Sequence, residues 1–424
     1  MTRPWALVVV TSGDRAWRRR IVPLGDGFTV GRSPDAGAEI VIEDKLLSRR
    51  HATLEMGPPL RLTDHGSRNG SFVDGVRVEA ATLHPGSVVR LGVSVAVVDR
   101  DERSHLPEVP VGKRDRMVGQ SRAFSALVAH LRAIAEAPSP VVVVGEAGSG
   151  KSLVATELHR RSGRPGPLAV VGCRAAGAPL TLRDLIGEAG GPGGYFAGTA
   201  DGTLVFEEVD LLAPDLQERL ADALETRSFR AGGADTTTPF SARVIVTTSA
   251  NLETARKAGA LSSRLYAQLG ATQISIPPLR ERRVDIPVLA RHFLALEEPK
   301  RTLDWSPTFL EKLLVHGWPG NERALRALMR RLTMVEDEVT TLRSAHLPSE
   351  LQAPDPGGSE DALRASAISV HHVAPSRDEL RAVLSRCAGE VQRVADHFGK
   401  DRRHVYRWLL RHDLSAADFR EPPP

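Results

Sequence analysis

Only two cysteines, Cys173 and Cys387, occur in 424 residues. So distant a pair supplies neither a disulfide framework nor metal-ligand spacing, and it points to a reducing, cytoplasmic setting. Aromatic residues are scarce at 4%, and no apolar run approaches the ~20 residues a membrane-spanning helix needs. The opening MTRPWALVVVTSGD has one arginine and a short apolar stretch but no small-residue cleavage site, so it is expected to be a first β-strand. Lysine is nearly missing too: it supplies 7 of the 56 basic side chains and arginine the other 49, which robs isolated arginine clusters of meaning. The formal charge is +4 and the isoelectric point about 9.3, a mild pull toward polyanions. What is present is a soluble globular balance, 41% hydrophobic and 25% charged. The length suits two to four domains of roughly 150 residues each.

Residues 1–100 carry short strands between turn residues: LVVV at 7–10, FTVG at 28–31, EIVI at 39–42, HATLEM at 51–56, LRLT at 60–63, GSFVDG at 70–75 and VSVAVVD at 93–99. That spacing predicts an all-β sandwich. Residues 101–116, charged and with two prolines, read as a linker. From Met117 strand and helix alternate. A helix is expected within 121–137, a buried strand at PVVVVG (140–145), a helix at LVATELHRRS, strands at TLVFEEVD (203–210) and ARVIVTTSAN (242–251), and a helix at 215–226. The class is an α/β parallel sheet over 117–284. Residues 285–351 give only a helical signal, a helical lid on that sheet. Residues 352–376, rich in Pro, Gly and Ser, read as a second linker, 377–416 as a small all-α domain, and 417–424 as a disordered tail.

GEAGSGKS at 145–152 fits G-x-x-x-x-G-K-[ST], with a buried strand before it and a helix after it. Gly145, Gly148 and Gly150 let backbone N–H groups curl around a phosphate, and the helix N-terminus adds positive potential. Lys151 is expected to reach the β- and γ-phosphates of ATP and Ser152 to hold Mg²⁺. Glu207-Glu208 at the end of a neighbouring strand suits Mg²⁺ and the positioning of water.

Residues 117–351 resemble the AAA+ domain of sigma-54-dependent enhancer-binding activators. The carrying stretches include MVGQS (117–121), GEAGSGKS, ADGTLVFEEVDLL (200–212), IPPLRERRVDIPVLARHFL (276–294) and HGWPGNERALRALMRRL (316–332). The resemblance implies nucleotide contacts from Arg323, at the sensor-II position, and from Thr248, in the sensor-I strand. It also implies a homo-oligomeric ring and contact with sigma-54 RNA polymerase. Residues 1–100 look like a forkhead-associated (FHA) domain, on Gly31-Arg32, Ser48-Arg49-Arg50-His51, Ser67-Arg68-Asn69-Gly70 and LHPGSVVRLG. That implies a phosphothreonine protein, a Ser/Thr kinase target, held by Arg32, Ser48, Arg49, Arg68 and Asn69; arginine gives charge-assisted bonds to phosphate. His51 reads as a structural hydrogen-bonder. AGEVQRVADHFGKDRRHVYRWLLRHDL resembles a Fis-type helix-turn-helix, with Val394, Ala395 and Phe398 in its core and Gly399 at its turn. It implies double-stranded DNA at an upstream regulatory site, contacted by Arg402, Arg403, His404 and Arg407. From Lys400 to Asp413 five basic residues face two aspartates, a net of +3.

Four departures accompany these matches. The family's GAFTGA loop, which engages sigma-54, is reduced to EAGGPGGYFAGTA between Gly187 and Asp201. The acidic strand ends Glu-Glu instead of Asp-Glu, which moves the first carboxylate by about 1.5 Å, one C–C bond. The family's trans-acting arginines fall on Ser262 and Gln268 of LSSRLYAQL (261–269), leaving Arg264 as the nearest substitute. The sensor-I asparagine falls on Ser249. Three readings stay open: an active ATPase in which Glu208 orients water and Arg264 acts as the finger, a regulator that binds ATP without using it as fuel, and a scaffold joining mixed rings. The residues favour the second, because all four departures touch hydrolysis or its coupling and none touches the cradle.

Overall fold

The computed structural model describes residues 5–100, 117–352 and 377–419, apart from short gaps within each stretch. Two compact units divide the chain, Met1–Gly358 and Ser359–Pro424.

The first unit begins with eleven strands: β1 Trp5–Thr11, β2 Ile21–Leu24, β3 Phe28–Gly31, β4 Ile40–Val41, β5 Ala52–Glu55, β6 Arg61–Asp64, β7 Ser71–Val73, β8 Val76–Val78, β9 Ala80–Thr82, β10 Val88–Leu91 and β11 Ser94–Asp99. They form two sheets, ordered β2-β1-β11-β10-β7-β8 and β4-β3-β5-β6-β9. The expected sandwich is present, and each expected strand falls within it. Strands β2, β8, β9 and β10 went unread. β8 and β9 are three residues long and mostly exposed, so they carry no apolar run.

One sheet of this sandwich is apolar on both faces. Leu7, Val9, Val89, Leu91, Ala96 and Val98 point into the sandwich core. Ala6, Val8, Ile21, Val88, Val95 and Val97 point the other way, into a cluster shared with Leu310, Leu313 and Leu314 of the lid. An antiparallel sheet with one solvated face alternates apolar and polar residues; burial of both faces accounts for the unbroken VSVAVVD.

Next come α1 (Arg122–Ile134), β12 (Val141–Val144), α2 (Lys151–Ser162), β13 (Leu168–Gly172), α3 (Leu182–Ile186), α4 (Tyr195–Gly198), β14 (Thr203–Glu207), α5 (Pro214–Thr226), the hairpin β15 (Ser228–Phe229) and β16 (Thr238–Pro239), β17 (Arg243–Thr248), α6 (Leu252–Lys257), α7 (Ser263–Leu269) and β18 (Gln273–Ser275). Five of these strands make a parallel sheet, ordered β13-β14-β17-β12-β18. β12 is buried on both sides, Val141 and Val143 in one cluster and Val142 in another, which explains its four valines. Register puts Val144 beside Thr248 and Glu207 beside Thr247, so the carboxyl ends of the strands lie level. In open α/β sheets that edge is where ligands bind.

The lid comprises α8 (Ile286–Glu297), β19 (Asp304–Trp305), α9 (Pro307–Val315), α10 (Asn321–Leu332), β20 (Thr341–Leu342) and α11 (Ser349–Gln352). The purely helical expectation is corrected by β19 and β20, which pair in parallel. They are two residues each, too short for a periodic signal. Helix α9 packs on β10 and β11. There Arg90 Nε donates to Glu311 Oε2 at 2.7 Å, with both side chains mostly buried. Arg90 also stacks on the Phe72 ring, 3.7 Å from its centroid. Arg283 donates to Gly86 O at 2.7 Å and to Asp74 at 3.3 Å. The sandwich is thus built into the lid, although residues 101–116 lie outside the described residues.

In the second unit α12 (Arg377–Arg386) and α13 (Val391–His397) enclose a core of Leu380, Val383, Leu384, Val394, Ala395 and Val405. Val394 and Ala395 are core as expected. Phe398, Gly399, Arg402, Arg403, His404 and Arg407 lie outside the described residues. The tail expected to lack structure from 417 is corrected in part: Ala416–Phe419 form a 3-10 turn that packs Phe419 on this core, because an aromatic ring so near the last helix finds apolar surface to cover.

The Arg90–Glu311 pair gives a test of the domain contact. Removing one partner of a buried pair strands a charge, at about 3–5 kcal/mol, whereas an apolar replacement of both is often neutral. Arg90→Ala is expected to lower stability by about that amount in urea denaturation. Arg90→Met with Glu311→Leu is expected to restore it.

Candidate functional site

The loop after β12 and the start of α2 form the phosphate cradle. Gly148 has φ +75°, and a Cβ there would lie 2.3 Å from the Gly320 carbonyl oxygen, so both conformation and crowding require glycine. Lys151 Nζ donates to Gly145 O (2.8 Å), Glu146 O (3.3 Å) and Ser249 Oγ (2.7 Å), and lies 3.2 Å from Glu208 Oε1. Ser152 Oγ donates to Glu207 Oε1. The longer Glu207 side chain therefore still reaches the P-loop hydroxyl, and the two oxygens stand close enough to share one cation.

Glu208 takes a left-handed φ of +56°, a strained conformation of the kind that collects at functional sites. Its carboxylate accepts from Ser249 N and Ser249 Oγ, both at 3.1 Å. Thr248 is placed differently from expectation: it is fully buried and donates to Asp210 Oδ1 at 2.6 Å, while Ser249 faces the cleft. Alternation along β17 turns neighbouring residues to opposite sides, and the residue facing the cleft is Ser249, at the sensor-I asparagine position.

Several members of the site went unread. Asn321, fully buried at φ +49°, accepts from Leu279 N at 2.9 Å and donates to Ala147 O (3.2 Å) and Glu146 Oε2 (3.1 Å). Arg280 bonds Glu146 through two nitrogens, at 2.6 and 2.9 Å, and these bonds, with Asn321, hold the Glu146 carboxyl down at about 2. Arg282 donates to Glu322 Oε1 at 2.8 Å and to Ser149 O at 3.3 Å. Arg323 N donates to Gly148 O, and its side chain lines the cleft with Lys151, Glu207 and Glu208. Only the strings PPLRERR and GWPGNERAL signalled these residues, and spacing alone says nothing of their partners. Cys173 borders the same carboxylates. Burial, then Asp210, Glu207 and Glu208, push its thiol up to about 12.

At the sandwich end, the loops after β3, β4 and β6 converge. A Cβ on Gly31 would stand 2.1 Å from Arg49 O, so glycine lets these loops touch. Arg32 N donates to Ser48 O (3.1 Å), and Arg68 N to Ser48 Oγ (3.1 Å). Asn69 Nδ2 donates to Leu46 O at 2.7 Å. His51, fully buried, accepts from Ser48 N with Nδ1 (3.1 Å) and meets Gly70 O with Nε2 (3.3 Å); burial lowers its pKa, which suits a neutral ring in one tautomer. Arg32, Arg49 and Arg68 are exposed, with no ion-pair partner among the described residues.

Residues 117–275 match the sigma-54 interaction domain, 280–363 the AAA+ ATPase lid domain and 28–92 the FHA domain. The chain is 30% identical over 309 residues to the transcriptional regulatory protein ZraR of Klebsiella oxytoca, covering 70% of this chain and 68% of that one. The chain belongs to the sigma-54-dependent transcriptional regulators. To the C4-dicarboxylate transport regulator DctD of Rhizobium meliloti it is 30% identical over 320 residues, 72% of this chain and 66% of that protein. It thus spans about two thirds of these relatives' length. Among solved structures, NtrX from Brucella abortus in complex with ADP has 27% identity and a TM-score of 0.52, over 70% of each chain.

Within this regulator's AAA+ domain, Arg264 is paired within its own chain and the turn between α3 and α4 is short. Arg264 bonds Glu225 (2.7 and 3.0 Å) and Asp222 (3.1 Å) on α5, with Glu218 at 3.7 Å. Between α3 and α4 the chain spans only residues 187–194. This turn is pinned through Ala189 N to Gly232 O (2.9 Å) and Gly232 N to Gly187 O (3.0 Å).

The carboxylates around Cys173 make a prediction. A thiol near 12 has on the order of 10³-fold less thiolate at pH 8 than an ordinary cysteine. Iodoacetamide on the native protein should label Cys387 and spare Cys173, by peptide mass mapping. Equal labelling in native and denatured protein would contradict the acidic surroundings described.

Proposed function

We propose that this sigma-54-type regulator binds ATP, DNA and a phosphothreonine protein, and that ATP serves it as a stabilising ligand more than as a fuel. The observation that carries the reading is the internal pairing of the groups a motor must keep free. Glu208, which would orient water, is tied to Ser249 and Lys151. Arg264, which would reach a neighbouring subunit, is tied to Asp222 and Glu225 of its own chain. Finger loss costs about 10³–10⁵ in rate. The clipped turn at 187–194 offers no apolar tip for sigma-54. Phosphate binding needs none of these groups. Gly145, Gly148 and Gly150 with Lys151 supply it, and Arg323 faces the same cleft.

Mg²⁺ fits the donors present. Among the described residues no cluster of three or more His, Cys, Asp or Glu could hold a metal. Ser152 and Glu207 offer two oxygens, which suits a cation completed by water and phosphate. The bound ion would neutralise phosphate charge; Lys151 and Arg323 would do the rest.

ATP with Mg²⁺ at 100 times its dissociation constant should stabilise the protein by about 2.7 kcal/mol. That stabilisation is expected in thermal unfolding and absent in Lys151→Ala. Phosphate release is expected to equal that of Lys151→Ala; a clearly higher rate would establish a motor instead.

For the sandwich, the exposed Arg32, Arg49 and Arg68, on loops whose backbones meet at Ser48, support phosphothreonine binding. Arg32→Ala is expected to weaken a phosphothreonine peptide about 10–100-fold, the worth of a charge-assisted bond, and to leave DNA binding unchanged. Fluorescence anisotropy with a degenerate phosphopeptide pool would read this, and unaltered affinity would remove the assignment. DNA contact by Arg402, Arg403, His404 and Arg407 rests on the basic helix in the sequence, and a homo-oligomer on the family.

A further inference from the structure

Two cavities meet beside α10. One is a slot with apolar walls, among them Val118, Phe124, Leu153, Ile276, Leu289 and Phe293. The other is the open cleft that holds Lys151, Ser152, Glu207 and Arg323. Gly150, Leu153, His292, Phe293 and Glu322 line both. A nucleotide with its base in the slot and its phosphates in the cradle puts its sugar at this seam.

The seam holds two polar side chains. Glu322 Oε1 is engaged by Arg282 at 2.8 Å, and the side chain is only 18% exposed. Its other oxygen has no hydrogen-bond partner among the described residues and lies against Gly150, where a Cβ would stand 3.5 Å from it. A mostly buried carboxylate with one open oxygen calls for a donor. His292 is half-buried, and burial followed by Arg326 lowers its pKa, so its ring keeps an acceptor nitrogen at neutral pH. A base presents its polar edge away from the phosphates, and phosphates present only acceptors. The ribose alone offers two neighbouring O–H donors at that position. Acidic side chains read ribose hydroxyls in dinucleotide sites for the same reason.

We infer that Glu322, with His292 beside it, accepts hydrogen bonds from the ribose hydroxyls and selects ribonucleotides over 2′-deoxyribonucleotides. This rests on the nucleotide-binding reading above. Arg282 has a second role here: its bond to Oε1 turns the carboxylate so that the other oxygen faces the seam, and it opposes the rise in pKa that burial imposes on this group.

Calorimetric titration of the full chain with Mg²⁺ and ATP, 2′-deoxy-ATP or ITP tests it, in the wild type and in Glu322→Gln. In the variant Arg282 claims the amide oxygen and the amide NH₂ faces the sugar, so an acceptor becomes a donor. The expected result is 2′-deoxy-ATP at least tenfold weaker than ATP in the wild type, and within about threefold in the variant. Glu322→Met, which supplies no oxygen, should give the same narrowing. Equal binding of ATP and 2′-deoxy-ATP by the wild type overturns the inference while leaving nucleotide binding intact. So does a Glu322→Met variant that keeps the full ratio. Discrimination against ITP alone would assign the carboxylate to the base amine and overturn the sugar assignment. Binding of none of the three would remove the parent reading itself.

Discussion

The buried amide of Asn321 is the contact on which the ATP-binding half depends. It sits in a left-handed conformation at the start of α10 and joins three segments at once: the P-loop through Ala147 and Glu146, the lid entry through Leu279, and its own helix. No water can replace a partner for a side chain with no exposure, so each bond must be made within the fold. The same helix start then presents Glu322 and Arg323 to the cleft. Gly148 allows the approach, because any side chain there would collide with Gly320. The cradle and the lid are in this sense one built object, closed by an asparagine.

Charge placement around that object separates holding from turnover. On the proposed reading, a triphosphate would meet backbone N–H groups, one lysine and one arginine. Hydrolysis asks more: a carboxylate free to orient water and an arginine free to reach across a subunit boundary. Here Ser249 occupies both oxygens of Glu208, and α5 gathers carboxylates around Arg264. Each tie is modest when exposed. On the proposed reading, together they would oppose the rearrangement a motor makes in each cycle.

The sandwich adds a second constraint. One face of its first sheet is consumed by α9, through Val88, Val95 and Val97 and through the Arg90–Glu311 pair. The loops that carry Arg32, Ser48, Arg49, Arg68 and Asn69 take no part in that contact. A phosphorylated partner held by them would ride on a body already joined to the lid. Arg283 brings the turns at Asp74 and Gly86 to the segment that also holds Arg282. Among the described residues, the sandwich and the segment that holds Arg282 are therefore joined by packed elements.

The sequence determined the local chemistry: the glycines of the cradle, the valine run of β12, the basic loops of the sandwich and the order of the domains. Glycine placement and apolar periodicity are local properties, and local backbone rules are enough to read them. Only the tertiary structure decided which side chains meet. It put Ser249 instead of Thr248 in the cleft, bound Arg264 to its own α5, joined Asn321 to a loop 174 residues earlier and laid α9 against the sandwich. Those pairings depend on how distant segments bury one another, and no window of residues carries that information.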